Sequence, residues 1–306
     1  MKTLLITAAL ACTFTFGAIA QKTFSELNAL DDKKFDKNVR EWTIRKPDLK
    51  GGSGLFPDLA RTPIKKVALV SFTVYSPDPI GKTTTSKALN EEGLNHFVTK
   101  MYESNLPVLQ QEFSDAGIEL LTIENMTDEQ KNVLSDFAST KWMERVSKSE
   151  KTEYKSNFLG YEETGRKTGV AMQGYRNWRL GFAEFSMVWL SEPMYDLAKA
   201  LGVDAVVYVN HRLSMDGKLF ANQTIISITG CENSVTGGQK KTLTARGLPV
   251  IQIGIDYPKP IQIATFKKKD IESEDYEGFD QFVSRLTKKI LSSLNARTEE
   301  MKAGKY

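Results

Sequence analysis

Residues 66–75 read KVALVSFTVY. A run so rich in β-branched and aromatic residues, and so poor in polar ones, is stable only as a strand covered on both faces. The chain must therefore supply covering layers, and its next segments have the pattern to do so. Ser76-Pro77-Asp78-Pro79 ends the run. From about Ser86 a helix is predicted, in which Leu94, Phe97, Val98, Met101 and Tyr102, then Leu106, Leu109 and Phe113, fall at helical spacing. Pro107 is expected to kink or divide that helix, and Gly117 to cap it. Ile118–Ile123 is the next strand. Strand, helix and strand in this order make a crossover unit with a parallel pair.

The remaining elements follow from similar signals. Thr127-Asp128-Glu129-Gln130 is a capping-box pattern opening a helix through Val133, Leu134 and Phe137, with a possible end at Val146. Residues 147–181 are polar and punctuated by Gly160, Gly165, Gly169, Gly174 and Gly181, so a long excursion is expected there rather than core. Arg179–Leu190 returns to strand character. Ser191 and Pro193 open a short helix whose inner face is Leu197, Ala198 and Leu201, closed by Gly202. Val203–His211 is the second buried strand, and Asp216-Gly217 marks a hairpin into Leu219–Thr229. Val250–Tyr257 and Ile261–Phe266 are expected as two strands separated by Pro258 and Pro260. In the last helix Phe279, Phe282, Val283, Leu286, Ile290 and Leu294 make one apolar stripe, with Arg285, Lys288 and Lys289 facing away.

These elements predict one α/β domain over 64–296, a mixed β-sheet covered by amphipathic helices, with a tail at 297–306. Residues 21–63 contain a charged stretch from Leu27 to Trp42 with helical potential, then Gly51-Gly52-Ser53-Gly54, Pro57 and Pro63. They read as a loosely packed lead-in or linker. Residues 1–20 read as a secretory signal: Lys2, an apolar run from Leu4 to Gly17, and Ala18-Ile19-Ala20 as the cleavage site. The expected location is periplasmic or secreted, with no transmembrane segment in the mature chain. A lipid anchor at Cys12 is not expected, because the Leu before it stands at the wrong spacing. Cleavage after Ala20 would leave Cys231 as the sole thiol.

Several chemistries are disfavoured by composition. Among 306 residues, 41 Lys and Arg face 38 Asp and Glu, so no basic excess marks a nucleic-acid binder. Two Cys cannot build a disulfide scaffold, and two His leave little for a His-based metal site. Gly81-Lys82-Thr83 stands between a strand and a helix, as in a phosphate-binding loop. However, Ser76 occupies the position where that loop needs Gly, and Pro77 and Pro79 remove two N–H donors. His96 and His211 are candidate general bases without a specific partner pattern. The acidic clusters Glu91-Glu92, Glu162-Glu163 and Glu272–Glu277 have no fixed separation of the kind glycoside hydrolysis needs. Lys267-Lys268-Lys269 reads as a solvated strand end. No catalytic, cofactor-binding or metal-binding residue is therefore assigned, and no cofactor is expected. The best contact candidates are Tyr175, Arg176, Trp178 and Arg179, where aromatics alternate with Arg beside the polar excursion.

The strand 66–72, its helix with the strand 118–123, and Leu197-Ala198-Lys199-Ala200-Leu201-Gly202-Val203-Asp204-Ala205-Val206-Val207 together resemble bacterial envelope proteins of the CsgG, LpoB and TolB N-terminal-domain kind. The resemblance is topological, covers about two thirds of the mature chain and transfers no functional residue. It implies an envelope accessory or assembly role through contact with an envelope protein or with a second copy, without catalysis. The alternatives are an exported hydrolase with a carboxylate- or His-based site, or a small-ligand carrier.

Overall fold

A computed structural model describes residues 23–43, 54–57, 59–75, 91–137, 169–176, 194–215, 218–231, 233–236, 251–267 and 270–304. In chain order the elements are α1 (Phe24–Asn28), α2 (Asp32–Asn38), β1 (Val39–Thr43), β2 (Gly54–Pro57), β3 (Lys66–Tyr75), α3 (Glu91–Asp115), β4 (Glu119–Leu121), α4 (Asp128–Asp136), β5 (Gly169–Ala171), α5 (194–201), β6 (Ala205–Met215), β7 (Lys218–Thr229), β8 (Asn233–Thr236), β9 (Ile251–Lys267), β10 (Asp270–Glu274) and α6 (Phe279–Lys302). Among the described residues eight strands form one sheet in the order β1-β9-β7-β6-β3-β4, with β10 on β9 and β5 on β3. β4, β3 and β6 are parallel; β7, β9 and β1 continue antiparallel. β2 and β8 pair separately. The domain is thus α/β with a mixed sheet, as the strand and helix patterns predict. Among the described residues no helix is long and apolar enough to cross a membrane.

The two faces of the sheet carry different cores. α3, α6 and α1 cover the first, where Val67, Leu69, Phe72 and Val74 of β3 and Val207, Val209 and Leu213 of β6 are buried. Strict alternation would send Phe72 to the opposite face from Leu69. A register shift between Leu69 and Ser71 resets the parity. α4 and α5 cover the amino-terminal half of the second face, where Ala68, Val70, Val206 and Tyr208 meet Leu134, Met194, Leu197 and Leu201.

Local chemistry explains several element boundaries. Thr127 and Gln130 exchange the two capping-box hydrogen bonds at 3.2 and 3.0 Å, starting α4. α3 and α5 both end in Schellman turns: Ile118 N–H bonds to Phe113 O, and Val203 N–H to Ala198 O. Past the second turn, Asp204 Oδ2 accepts the N–H groups of Lys65 and Lys66, both at 2.9 Å. That carboxylate ties the entry of β6 to the entry of β3 and sets the register of the parallel pair. This is the physical role of the Asp in the Gly202-Val203-Asp204 motif.

Several expectations are corrected. Residues 24–43 are not a loose lead-in. Phe24, Leu27 and Phe35 lie in the main core, and β1 pairs with β9. The charged stretch 27–42 forms two short helices and a strand, not one helix, and Thr23 and Glu26 make an unforeseen capping box on α1. Arg285 and Lys289 do not simply face away: Arg285 donates to Asp32 Oδ1 at 2.7 Å and to the carbonyls of Leu27 and Asn28, and stacks on Phe35, while Lys289 reaches Asp36 at 2.6 Å. Lys288 is exposed and pairs with Glu112 at 3.4 Å.

Second, β9 is one strand and not two. Its ladder with β7 jumps from Gln223–Asp256 to Ala221–Ile261, so Pro258 and Pro260 fall in a bulge where no ladder N–H is required. Third, Pro107 does not divide α3, which runs from Glu91 to Asp115. One lost backbone bond and a ring clash, about 3 kcal/mol, are outweighed by burial of Leu94, Phe97, Met101, Leu109 and Phe113 along the same helix, each contributing about 1.5–3 kcal/mol. Fourth, α6 continues through the expected tail to Lys302, with Met301 still packed on the core.

Candidate functional site

The part of the expected excursion that is described, residues 169–176, belongs to the core. β4 pairs with the first residues of β3, Lys66–Ala68, and leaves the upper half of that edge open. Residues 169–176 fill it: β5 pairs with Thr73–Tyr75, Met172 N–H bonds to Phe72 O and Arg176 N–H to Val70 O. This brings Tyr175, one of the four contact candidates, under α3, where it is buried. The Tyr102 hydroxyl donates to Glu124 Oε1 at 2.7 Å. The Tyr175 hydroxyl therefore donates to Tyr102 at 2.7 Å and accepts Ile123 N–H at 3.2 Å. Burial, more than any neighbour, raises the pKa of both phenols above the ordinary range. Tyr175 is thus a structural plug and not an exposed contact. Arg176 donates from Nη1 to Ser135 O at 2.8 Å, which ties this edge to α4. Trp178 and Arg179 lie outside the described residues, as do Gly81-Lys82-Thr83 and Glu162-Glu163.

The two histidines are far apart in role and place. His211, on β6, is sealed between the sheet and α3, with ring contacts to Phe72 and Phe279. Asn105 Nδ2 donates to its Nε2 at 3.2 Å, so Nδ1–H donates to Thr224 Oγ1 at 2.9 Å, and the Thr224 and Tyr257 hydroxyls share a hydrogen bond at 2.6 Å. Four secondary-structure elements are linked by this relay. Burial pushes the His211 pKa down to about 3, so the ring is neutral. His96 sits on the outer part of α3 and meets Glu274 of β10 at 2.9 Å. Asn105, the partner of His211, is nine residues further along α3, a rise of about 13 Å. The two imidazoles therefore do not converge. Glu274 also accepts from Tyr276 at 3.3 Å, and Asp275 accepts Glu277 N–H at 2.9 Å. Cys231 is buried, and burial raises its thiol pKa well above the usual value. Among the described residues no group of three or more His, Cys, Asp or Glu side chains could hold a metal ion.

A second polar group lies on the opposite face of the sheet, above the ground covered by α4 and α5. Thr73 and Tyr75 of β3 stand beside Asn210 and Arg212 of β6, and Gln223 of β7 stands beside Arg212. These are the carboxyl-terminal ends of the parallel pair. The Thr73 hydroxyl donates to Asn210 Oδ1 at 2.5 Å. The Tyr75 hydroxyl reaches across β6 to Gln223 Oε1 at 3.2 Å. Asn210 is fully buried, as is Ser227 on the same face opposite Tyr208, yet among the described residues Asn210 Nδ2, Ser227 Oγ and the buried Nε of Arg212 have no hydrogen-bond partner. An orphaned buried polar atom costs on the order of 1–3 kcal/mol, so three on one sheet face is an arrangement that needs a reason. None of these residues is among the candidates read from the sequence. The available signal was polar residues at every second position inside two apolar runs, Ser71-x-Thr73-x-Tyr75 and Asn210-x-Arg212-x-Ser214.

Comparison of the chain with protein-family models, with characterised proteins and with solved structures returns no match.

Proposed function

We propose that this protein is an exported accessory or assembly component of the bacterial cell envelope, acting through contacts with an envelope protein or a second copy and not through catalysis. The observation that carries this reading is how the ionisable side chains are used. His211 is sealed and neutral, His96 is engaged by Glu274 at a separate place, and Glu112, Glu124 and Asp204 each hold two elements together. A hydrolase would need such groups converging on a cleft. The leader-like residues 1–20 and the topological likeness to CsgG, LpoB and the TolB N-terminal domain supply the envelope part of the reading.

The contact surface is narrowed by the burial of Tyr175. Ile271 is the one large hydrophobic side chain exposed among the described residues. That part of the surface therefore offers no apolar patch, and Trp178 and Arg179 remain the contact candidates. The test is in-cell photo-crosslinking from positions 178 and 179, with amino-terminal sequencing of the recovered protein. A mature chain beginning at Gln21, and adducts lost in Trp178→Ala, are expected. A chain retaining residues 1–20 in the cytoplasm, or no adduct from either position, overturns the proposal. The ligand-carrier alternative is favoured by one observation, the unpartnered donors at the carboxyl ends of β3 and β6.

A further inference from the structure

The crossovers leave β3 in opposite directions. From β3 the chain passes through α3, on the first face, to β4 on one side. From β4 it passes α4 and α5, on the second face, and enters β6 on the other side of β3. The strand order thus reverses between β3 and β6, and open α/β sheets bind ligands outside the carboxyl ends of their strands at such a switch point. The orphaned Asn210 Nδ2 and Arg212 Nε are at this same place. Two independent features of the molecule, its topology and its unsatisfied donors, coincide.

We infer that the carboxyl-terminal ends of β3 and β6 form a binding site for a small oxyanion, a carboxylate or phosphate group, held by Arg212 and Asn210. The sign follows from the groups available. Asn210 Oδ1 is occupied by Thr73, which leaves the amide N–H bonds to donate. Arg212 can only donate, and its planar fork matches two oxygens of a carboxylate or phosphate. Among the described residues it has no carboxylate partner. Asn210 and Arg212 are about 7 Å apart along the same face of β6, so a ligand of a few heavy atoms could touch both. Arg212 is partly exposed while Asn210 is fully buried. The charge marks the entrance and the neutral amide marks the floor.

The test uses the folded mature chain. Inorganic phosphate and citrate are titrated separately, with chloride at matched ionic strength as control. The readouts are the Arg212 Nε–H resonance, assigned by its loss in Arg212→Gln, and the melting temperature. Saturable movement of that resonance and a rise in melting temperature are expected with one probe or both, and their relative affinity tells whether the group is phosphate or carboxylate. Arg212→Gln should weaken binding about tenfold or more, the loss of a charge-assisted hydrogen bond. Asn210→Leu, which removes the neutral donor, should weaken it less. The inference fails if neither probe moves the resonance beyond the chloride control, or if Arg212→Gln binds like wild type. Should a variant not fold, the wild-type titration decides alone.

Discussion

Phe24 decides whether the amino-terminal segment belongs to the domain. Its side chain is 1% exposed, and its ring centroid lies 4.7 Å from Phe279, 5.4 Å from Phe282 and 6.0 Å from Tyr257. Phe24→Ala removes the ring from a site bounded by α6 and β9. Truncating a buried Phe costs about 3–5 kcal/mol, transfer and cavity terms together. For a domain of this size that lowers the melting temperature by about 6–20 °C. If residues 24–43 were a lead-in resting on a finished domain, the cost would stay within about 0.5 kcal/mol, as for surface changes. Because β1 hydrogen-bonds to β9 along Val39–Thr43, the segment should unfold with the sheet and not ahead of it. The assay is urea denaturation followed by far-ultraviolet circular dichroism and by the fluorescence of Trp42 in a background where Trp142, Trp178 and Trp189 are replaced by Phe. Expected are a single coincident transition and a lower midpoint in Phe24→Ala. A shift below about 1 kcal/mol, or a Trp42 transition that precedes the loss of secondary structure, would refute the reasoning.

Three further outcomes follow. His211 has a folded pKa of about 3 against an unfolded value of 6.5. Its contribution is therefore complete above the unfolded value and lost as pH falls from there toward 3. Stability should drop by up to about 1.4 kcal/mol per pH unit in that window, and urea midpoints at several pH values should show a shallower slope in His211→Gln. Asp204→Ala removes the carboxylate that accepts Lys65 and Lys66 N–H. Its exposed position limits the expected loss to about 1–2 kcal/mol, with partial recovery in Asp204→Asn, read by thermal denaturation. Gly278 has φ +76°, and a Cβ there would lie 2.9 Å from both Asn28 Nδ2 and Ser25 Oγ. Gly278→Ala should cost about 1–3 kcal/mol, and hydrogen exchange should show faster opening of α1 than of β3; protection equal to wild type would contradict the docking.

Sequence and structure agree where a residue's environment is set by near neighbours. β3, α3, β4, the Gly117 and Gly202 caps, the β6–β7 pair and the stripe of α6 were all legible. Each rests on periodicity, capping chemistry or turn residues within a few positions, and those act on the chain before it folds. Pro258 and Pro260 show the limit of local signals. They mark a break correctly as chemistry, but the break is in the hydrogen-bond ladder and not in the strand.

What the sequence could not disclose involves partners far along the chain. Arg285 meets Asp32 and Phe35, and Lys289 meets Asp36, across more than two hundred residues. Tyr175 is indistinguishable locally from an exposed aromatic. It is buried because β4 is three residues long and leaves the upper edge of β3 to be filled. The polar ends of β3 and β6 are unremarkable as separate strands, and only parallel pairing places Thr73 against Asn210. Local patterning determined which segments are strands and which are helices, because apolar spacing dictates what can be buried. Which polar groups meet, and which are left buried without a partner, was decided by the order in which those strands lie in the sheet.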